Sequence, residues 1–314
     1  MTKPLAGSPP VVPGACAPVS DRGRPRFGAG LRGSRAAMRA VDDLERAGKL
    51  DGLVGVGQRW ARSLPPGRTR DALYGVWLGH PLHPMLAQAP MGLWLSATVL
   101  DAWPGGERAS RRLVLAGLAA AAPAALAGAV DWSEQHEQQM RVGTVHAMAN
   151  GAAIGLYAAS LAARTRPVSR MLRLAGLATA GVAGLLGGHI SFRLAGGANQ
   201  AEPVPHLVEP GWHDLMPAAE LTGTGPVKRM VGEIPVVVVR DGPDVHVLAE
   251  RCSHLSGPLS EGTLSGGCLT CPWHGSVFRA RDGAVVHGPA TAPQPVFRVR
   301  VTGGTLQVCL PDAG

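Results

Sequence analysis

The sequence predicts a multidomain chain, an α-helical four-helix transmembrane bundle followed by a small antiparallel all-β domain. Three observations carry that expectation. Four nearly uncharged segments follow one another in the middle of the chain, each about 20 residues long, the length that crosses the hydrocarbon core of a bilayer. The C-terminal part instead holds short β-branched runs separated by Gly-containing turns. Between the two lies a Pro/Gly-rich stretch, residues 196–211, which reads as a linker.

Residues 1–35 are rich in Pro, Gly and Arg and read as a disordered basic arm without a signal peptide. The net charge of +8 is uneven: residues 1–80 hold 13 Lys/Arg against 6 Asp/Glu, residues 196–314 hold 8 against 11. The arginines of the arm are surrounded by no folded module, which argues against a nucleic-acid partner and for attraction to anionic lipid headgroups. Residues 36–71 begin with Met38, Val41, Leu44, Leu50, Leu53 and Val54 at roughly helical spacing, as in an amphipathic helix lying on a membrane surface.

Residues 72–195 hold the four apolar segments, roughly 82–103, 112–132, 144–163 and 172–194. Charges gather in the short connections, among them Arg108, Arg111, Arg112, Arg166, Arg170 and Arg173. Trp77, Trp103 and Trp132 fall at segment ends, where indole rings favour the membrane interface. Gly151-x-x-x-Gly155 and Gly184-x-x-x-Gly188 suit close helix packing, and Pro123 falls inside the second helix. Residues 212–314 read as strands at 227–231, 234–240, 245–250, 268–272, 277–280, 284–287, 297–301 and 305–309, with turns at Gly232-Glu233, Asp282-Gly283 and Gly303-Gly304.

Chemistry concentrates in that last domain. Cys252-Ser253-His254 is followed, after sixteen residues, by Cys271-Pro272-Trp273-His274, so each of two loops offers a thiolate and an imidazole. Two Cys and two His form the ligand set of a [2Fe–2S] centre in which imidazoles replace two thiolates on one iron. A structural zinc site uses the same residue types, but its pairs are normally separated by two to four residues; Cys252 and His254 are separated by one. Five cysteines, two of them in these loops, leave no disulfide framework. Cys268 and Cys309 read as small packing residues.

The stretch from Cys271 to Phe278, Cys-Pro-Trp-His-Gly-Ser-Val-Phe, together with Cys252-x-His254, resembles the Rieske ferredoxin family. The resemblance implies a [2Fe–2S] cluster held by Cys252, His254, Cys271 and His274. Gly257 and Trp273 stand where high-potential members carry a disulfide, and Phe278 stands where they carry a tyrosine. Fewer hydrogen bonds to the sulfurs lower the potential, so the expected value lies low in the Rieske range. The pattern is closer to ferredoxins that serve oxygenases than to quinol-oxidising subunits. The edges of His254 and His274 are then the expected exposed tip for partners, on a domain swinging from a flexible tether.

Residues 72–200 resemble a bacterial four-helix membrane domain of unknown function, DUF2231-like, through Gly79-His80-Pro81-Leu82-His83-Pro84, Val130-Asp131-Trp132, His146 and Gly187-Gly188-His189. Alternating helices bring His80, His83, Asp131, His146 and His189 to the same side of the bundle. Ionisable groups in such a domain mark functional paths, so His80, His83, His146 and His189 are candidates for a bis-histidine haem b, another metal or a quinone. They serve equally as interfacial or hydrogen-bonding residues. His136, His206, His213, His246 and His287 read as ordinary loop or surface residues.

The combined expectation is a multi-pass cell-membrane protein with its Rieske domain in the cytoplasm. It passes single electrons between a membrane or soluble donor and a redox partner protein, as a component of an oxidoreductase system rather than a stand-alone catalyst. A membrane quinol or haem oxidoreductase and a cluster-based redox sensor are the alternatives; donor, acceptor and oligomeric state stay open.

Overall fold

The computed structural model describes residues 29–223 and 225–311. Most of the basic arm lies outside the described residues, but 29–35, expected within it, belong to helix α1 (Ala29–Glu45). Residues 29–40 and the described chain from Val41 onward belong to two separate units.

Two short helices precede the bundle, α2 (Asp51–Arg62) and α3 (Arg68–Tyr74). Four long ones form it: α4 (Leu82–Asp101), α5 (Glu107–Trp132), α6 (Glu137–Ala162) and α7 (Arg166–Gly188), the last ending in a π-helical turn over His189–Arg193. Helix α4 packs on α5, α5 on α6, α6 on α7 and α7 on α4, closing an up-and-down ring. Two of the four, α5 and α7 with its π turn, are long and apolar enough to cross a membrane. Prolines and polar residues thin the apolar content of the others, with His83, Pro84, Gln88 and Pro90 in α4 and Gln138, Gln139, Arg141, His146 and Asn150 in α6.

The bundle interior combines an apolar cluster around Trp94, Val114 and Tyr157 with small residues and a buried ion pair. Ala97, Ala124, Ala127, Ala153, Ala180 and Ala183 are buried, as is the pair Asp101–Arg173, whose carboxylate and guanidinium meet at 2.8 Å with the Ser110 hydroxyl 2.5 Å from the same Arg173 nitrogen. Arg173, expected in a charged connection, is therefore an internal residue of α7, where the Asp101 carboxylate neutralises it. The glycines at Gly151-x-x-x-Gly155 and Gly184 meet nothing within 4 Å of a Cβ position, so this expectation fails: that motif face is turned away from the neighbouring helices. Close approach occurs instead at Gly117 on Trp94, Gly143 on Trp132 and Gly176 on Tyr157, where a Cβ would fall 2.3, 2.4 and 2.9 Å from ring atoms. Trp132, expected at the interface, fills the space between α2 and α6, and its Nε1–H donates to the Met140 carbonyl at 2.9 Å. Trp77 and Trp103 are exposed.

The β domain has two sheets, a six-stranded one in the order β1-β10-β9-β4-β3-β2 and a four-stranded one in the order β5-β6-β7-β8. Their strands are β1 (His213–Pro217), β2 (Val227–Val231), β3 (Ile234–Asp241), β4 (Asp244–Ala249), β5 (Thr263–Ser265), β6 (Cys268–Thr270), β7 (Val277–Arg279), β8 (Val285–His287), β9 (Val296–Thr302) and β10 (Thr305–Cys309). The eight expected strands are present; β1 and β5 were not foreseen. Val236, Val237, Val238 and Val239 are all fully buried because β3 has a core on each face. Val236 and Val238 join Val247, Phe297 and Leu306; Val237 and Val239 join Leu248, Leu259, Leu269 and Phe278 beneath the Cys/His loops. A strand buried on both faces reads as a continuous apolar run rather than an alternation.

The linker is not a free tether. It carries helix α8 (Val204–Leu207), Ala201 and Val204 are buried, and the Gln200 N–H donates to the Ser253 carbonyl at 2.9 Å. Arg173→Ala would leave Asp101 buried without its counter-charge. The expected loss is about 3–5 kcal/mol, read as a lowered unfolding midpoint of the purified protein in detergent.

Candidate metal centre

Both Cys/His loops are built on one template. In the first, between β4 and β5, the Cys252 N–H donates to Gly257 O at 2.9 Å and the Ser256 N–H to Cys252 O at 2.9 Å. In the second, between β6 and β7, the Cys271 N–H donates to Ser276 O at 2.8 Å and the Gly275 N–H to Cys271 O at 3.1 Å. The fifth residue of each loop turns left-handed, Ser256 at φ 61° and Gly275 at φ 73°. Each closed loop points its cysteine inward, and the cysteines meet. Gly257 allows this close approach, since a Cβ there would stand 2.8 Å from Cys271 Sγ and 3.2 Å from the Trp273 ring.

The side chains meet in pairs, ring with ring and sulfur with sulfur. The rings of His254 and His274 lie 5.0 Å apart at 87°, and Cys252 and Cys271 share a hydrogen bond. Cys271 is held down to about 7, chiefly by that bond from Cys252 and then by the backbone N–H groups of Trp273 and His274. The Cys252 thiol is pushed well above its usual value because it donates to Cys271 and is buried. Burial holds the His254 imidazole down to about 3, with His274 and His136 adding to the effect, and burial lowers His274 as well. Both rings are neutral, the form that ligates metal.

One atom tests the fit of a cluster. His254 Nδ1 is buried with no hydrogen-bond partner among the described residues, a costly state unless a metal takes the lone pair. Its orientation matches ligation through Nδ1. Ser276, whose hydroxyl hydrogen-bonds Cys252 and accepts the Ala290 N–H at 3.0 Å, supplies a polar group at the sulfurs. Phe278 is fully buried and brings no donor. The residues present fit a [2Fe–2S] cluster with two thiolate and two imidazole ligands.

The imidazole edge is not the free tip that was expected. It faces the helical domain, with His136, the N-cap of α6, placing its ring 5.8 Å from Trp273 and 6.3 Å from His274. A cavity of about 90 Å³ beside His254 is lined by His80, Pro81, Asp131 and Gln135 from the helical side and by Ala198 and Asn199 from the linker. Asp71 spans the two domains: its carboxylate accepts the Gly288 N–H at 2.9 Å and meets His287 Nδ1 at 2.8 Å. His136 and His287, read as ordinary surface residues, therefore stand at the contact with the helical domain. No local signal marks them, because their partners are distant in sequence.

The helical histidines share one end of the bundle but do not form one site. His80 is exposed. His189 Nε2 meets Glu45 Oε1 at 2.8 Å. His83 and His146 come together, rings 6.1 Å apart, but each gives Nδ1 to a backbone carbonyl, of Ala124 at 2.8 Å and Ala183 at 2.7 Å. The second nitrogen of His146 meets the Asn150 amide at 3.1 Å. As placed, His146 spends both nitrogens on hydrogen bonds, Nδ1 tying α6 to α7 and Nε2 meeting Asn150 within α6.

The Rieske [2Fe-2S] domain family matches residues 211–298. The anthranilate 1,2-dioxygenase ferredoxin subunit of Burkholderia cepacia is 35% identical over 97 residues, covering 31% of this chain and 90% of its own length. Ferredoxin CarAc of Metapseudomonas resinovorans is 34% identical over 99 residues, 31% of this chain and 92% of its own. Among solved structures, the ferredoxin of carbazole 1,9a-dioxygenase from Nocardioides aromaticivorans IC177 matches 32% of this chain and 98% of its own at 27% identity, TM-score 0.31.

In the metal-free protein, alkylation of Cys271 should rise with pH around 7 as its thiolate forms, while Cys252 stays slow. Mass spectrometry after timed iodoacetamide labelling reads both. Gly257→Ala should abolish cluster loading as measured by iron and sulfide content, because the added methyl displaces Cys271.

Proposed function

Because the chain belongs to the Rieske [2Fe–2S] family through its C-terminal domain, we propose that it is a membrane-anchored one-electron carrier. The observation that carries the reading is the meeting of the two Cys/His loops around the unpartnered Nδ1 of His254. Cys252, Cys271, His254 and His274 would hold the cluster, which supplies reversible one-electron chemistry when bound. The chain's own part is to keep both imidazoles neutral, to point backbone N–H groups at the sulfurs and to seal that side with Leu259, Leu269 and Phe278.

The membrane assignment is supported by where the bundle keeps its apolar residues. Leu95, Val99, Leu115, Met148, Met171, Leu174, Val182, Leu185 and Phe192 are exposed, while Asp101, Ser110, Ser160 and Arg173 are buried. An apolar exterior of this extent suits a lipid solvent and would be a large liability in water. We assign the Rieske domain to the cytoplasmic face, in keeping with Cys268 and Cys309, which are free thiols. The soluble partner would be an oxygenase, since the similar proteins are ferredoxin subunits of dioxygenases.

Detergent-purified, iron-replete protein reduced with dithionite should give a Rieske electron paramagnetic resonance signal, lost in His254→Ala or Cys271→Ser. A midpoint potential low in the range of about −150 to +300 mV is expected. Membranes washed with alkaline carbonate should retain the protein. A reduced, iron-loaded protein without that signal overturns the cofactor; release by carbonate overturns the anchor.

A further inference from the structure

The contact between the two domains is thin and polar where it touches the candidate cluster. Its direct ties are Asp71 to His287 and Gly288, Gln200 to Ser253, and the approach of His136 to Trp273 and His274. Gly288 also lies flat on the Tyr74 ring, where a Cβ would fall 2.6 Å from it, and Arg70 Nε–H holds the Tyr74 hydroxyl at 2.9 Å. Thus α3 presents two adjacent features to one Rieske strand end: an acceptor for the Gly288 N–H and an aromatic platform for its Cα. The His287 side chain remains half-exposed, at 52%, so water competes for that half of the tie. Interfaces of this kind open and close by default.

Resting on the one-electron-carrier reading, we propose that the helical domain is a releasable cap on the cluster's imidazole edge, held shut by the Asp71 clasp. A protein acceptor must displace the α5–α6 turn, which carries His136, to reach His274. Small acceptors reach the same edge past Trp273, which is 50% exposed. The clasp therefore sets how often a large partner finds the edge free, and the partner it selects is one able to replace the cap: a protein with a surface that accepts the same imidazole edge and the Trp273 ring.

The test uses the full, cluster-loaded chain in detergent with Asp71→Ala and His287→Ala, one variant from each side of the clasp. The first readout is amide hydrogen exchange at Gly288, whose N–H is the clasp's own donor. Exchange should quicken at least tenfold in Asp71→Ala, which removes the acceptor. The second is oxidation of the reduced cluster by a protein-sized acceptor, cytochrome c, against ferricyanide. Cytochrome c should react several-fold faster with both variants than with the parent chain, and ferricyanide within twofold of it. An unchanged Rieske signal in each variant certifies the site. Equal cytochrome c rates in parent and variants, with Gly288 exchange unaltered, overturn the cap. Equal acceleration of both acceptors also overturns it, because the edge itself would then have changed. Loss of the Rieske signal in the parent chain instead defeats the cofactor reading on which the cap rests.

Discussion

The arrangement of this protein turns on one carboxylate. Glu134, buried in the turn between α5 and α6, takes Arg62 from α2 at 2.9 Å and Arg70 from α3 at 2.5 Å. Two cations converge on one anion, so the turn cannot move without leaving charge unpaired, which is costly when buried. Fixing Arg70 also fixes Tyr74 and brings α3 beside Gly288, one turn from Asp71. Fixing the turn places His136 two residues later, opposite His274. The interdomain contact thus depends on an ion cluster inside the helical domain as well as on the groups that meet across it.

The β domain uses a different constraint. The cysteines lie at the mouths of two loops whose ends are anchored on strands of both sheets, and the run Val236–Val239 is buried from both sides. Burial of this kind is worth roughly 1.5–3 kcal/mol per fully buried valine-sized side chain, and it makes the loops' base rigid. That rigidity holds the ligand loops in place, and the support lies beneath them.

The bundle packs small residues and rings at its centre, with Trp94 and Tyr157 among alanines and glycines beside the Asp101–Arg173 pair, and leaves many large apolar side chains outside. The glycines that matter are those that receive a ring: Gly117, Gly128, Gly143, Gly176 and Gly187, facing Trp94, His83, Trp132, Tyr157 and His146. None belongs to the close-packing motif visible in the sequence, because a glycine permits an approach but does not say which neighbour makes it.

By itself the sequence determined the order of the two domains, eight of the ten strands and the meeting of two Cys/His pairs. These depend on period, turn residues and short loops, whose physics acts within a few residues. It also determined that His80, His83, Asp131, His146 and His189 share one end of the bundle, since helix length and alternation suffice for that. Only the tertiary structure decided which of them touch, that Arg173 lies inside, that the linker is packed, and that His136 and Asp71 stand against the Cys/His domain. Each of these depends on contacts between residues tens to more than two hundred positions apart, where the geometry of packed elements, and no local preference, selects the partner.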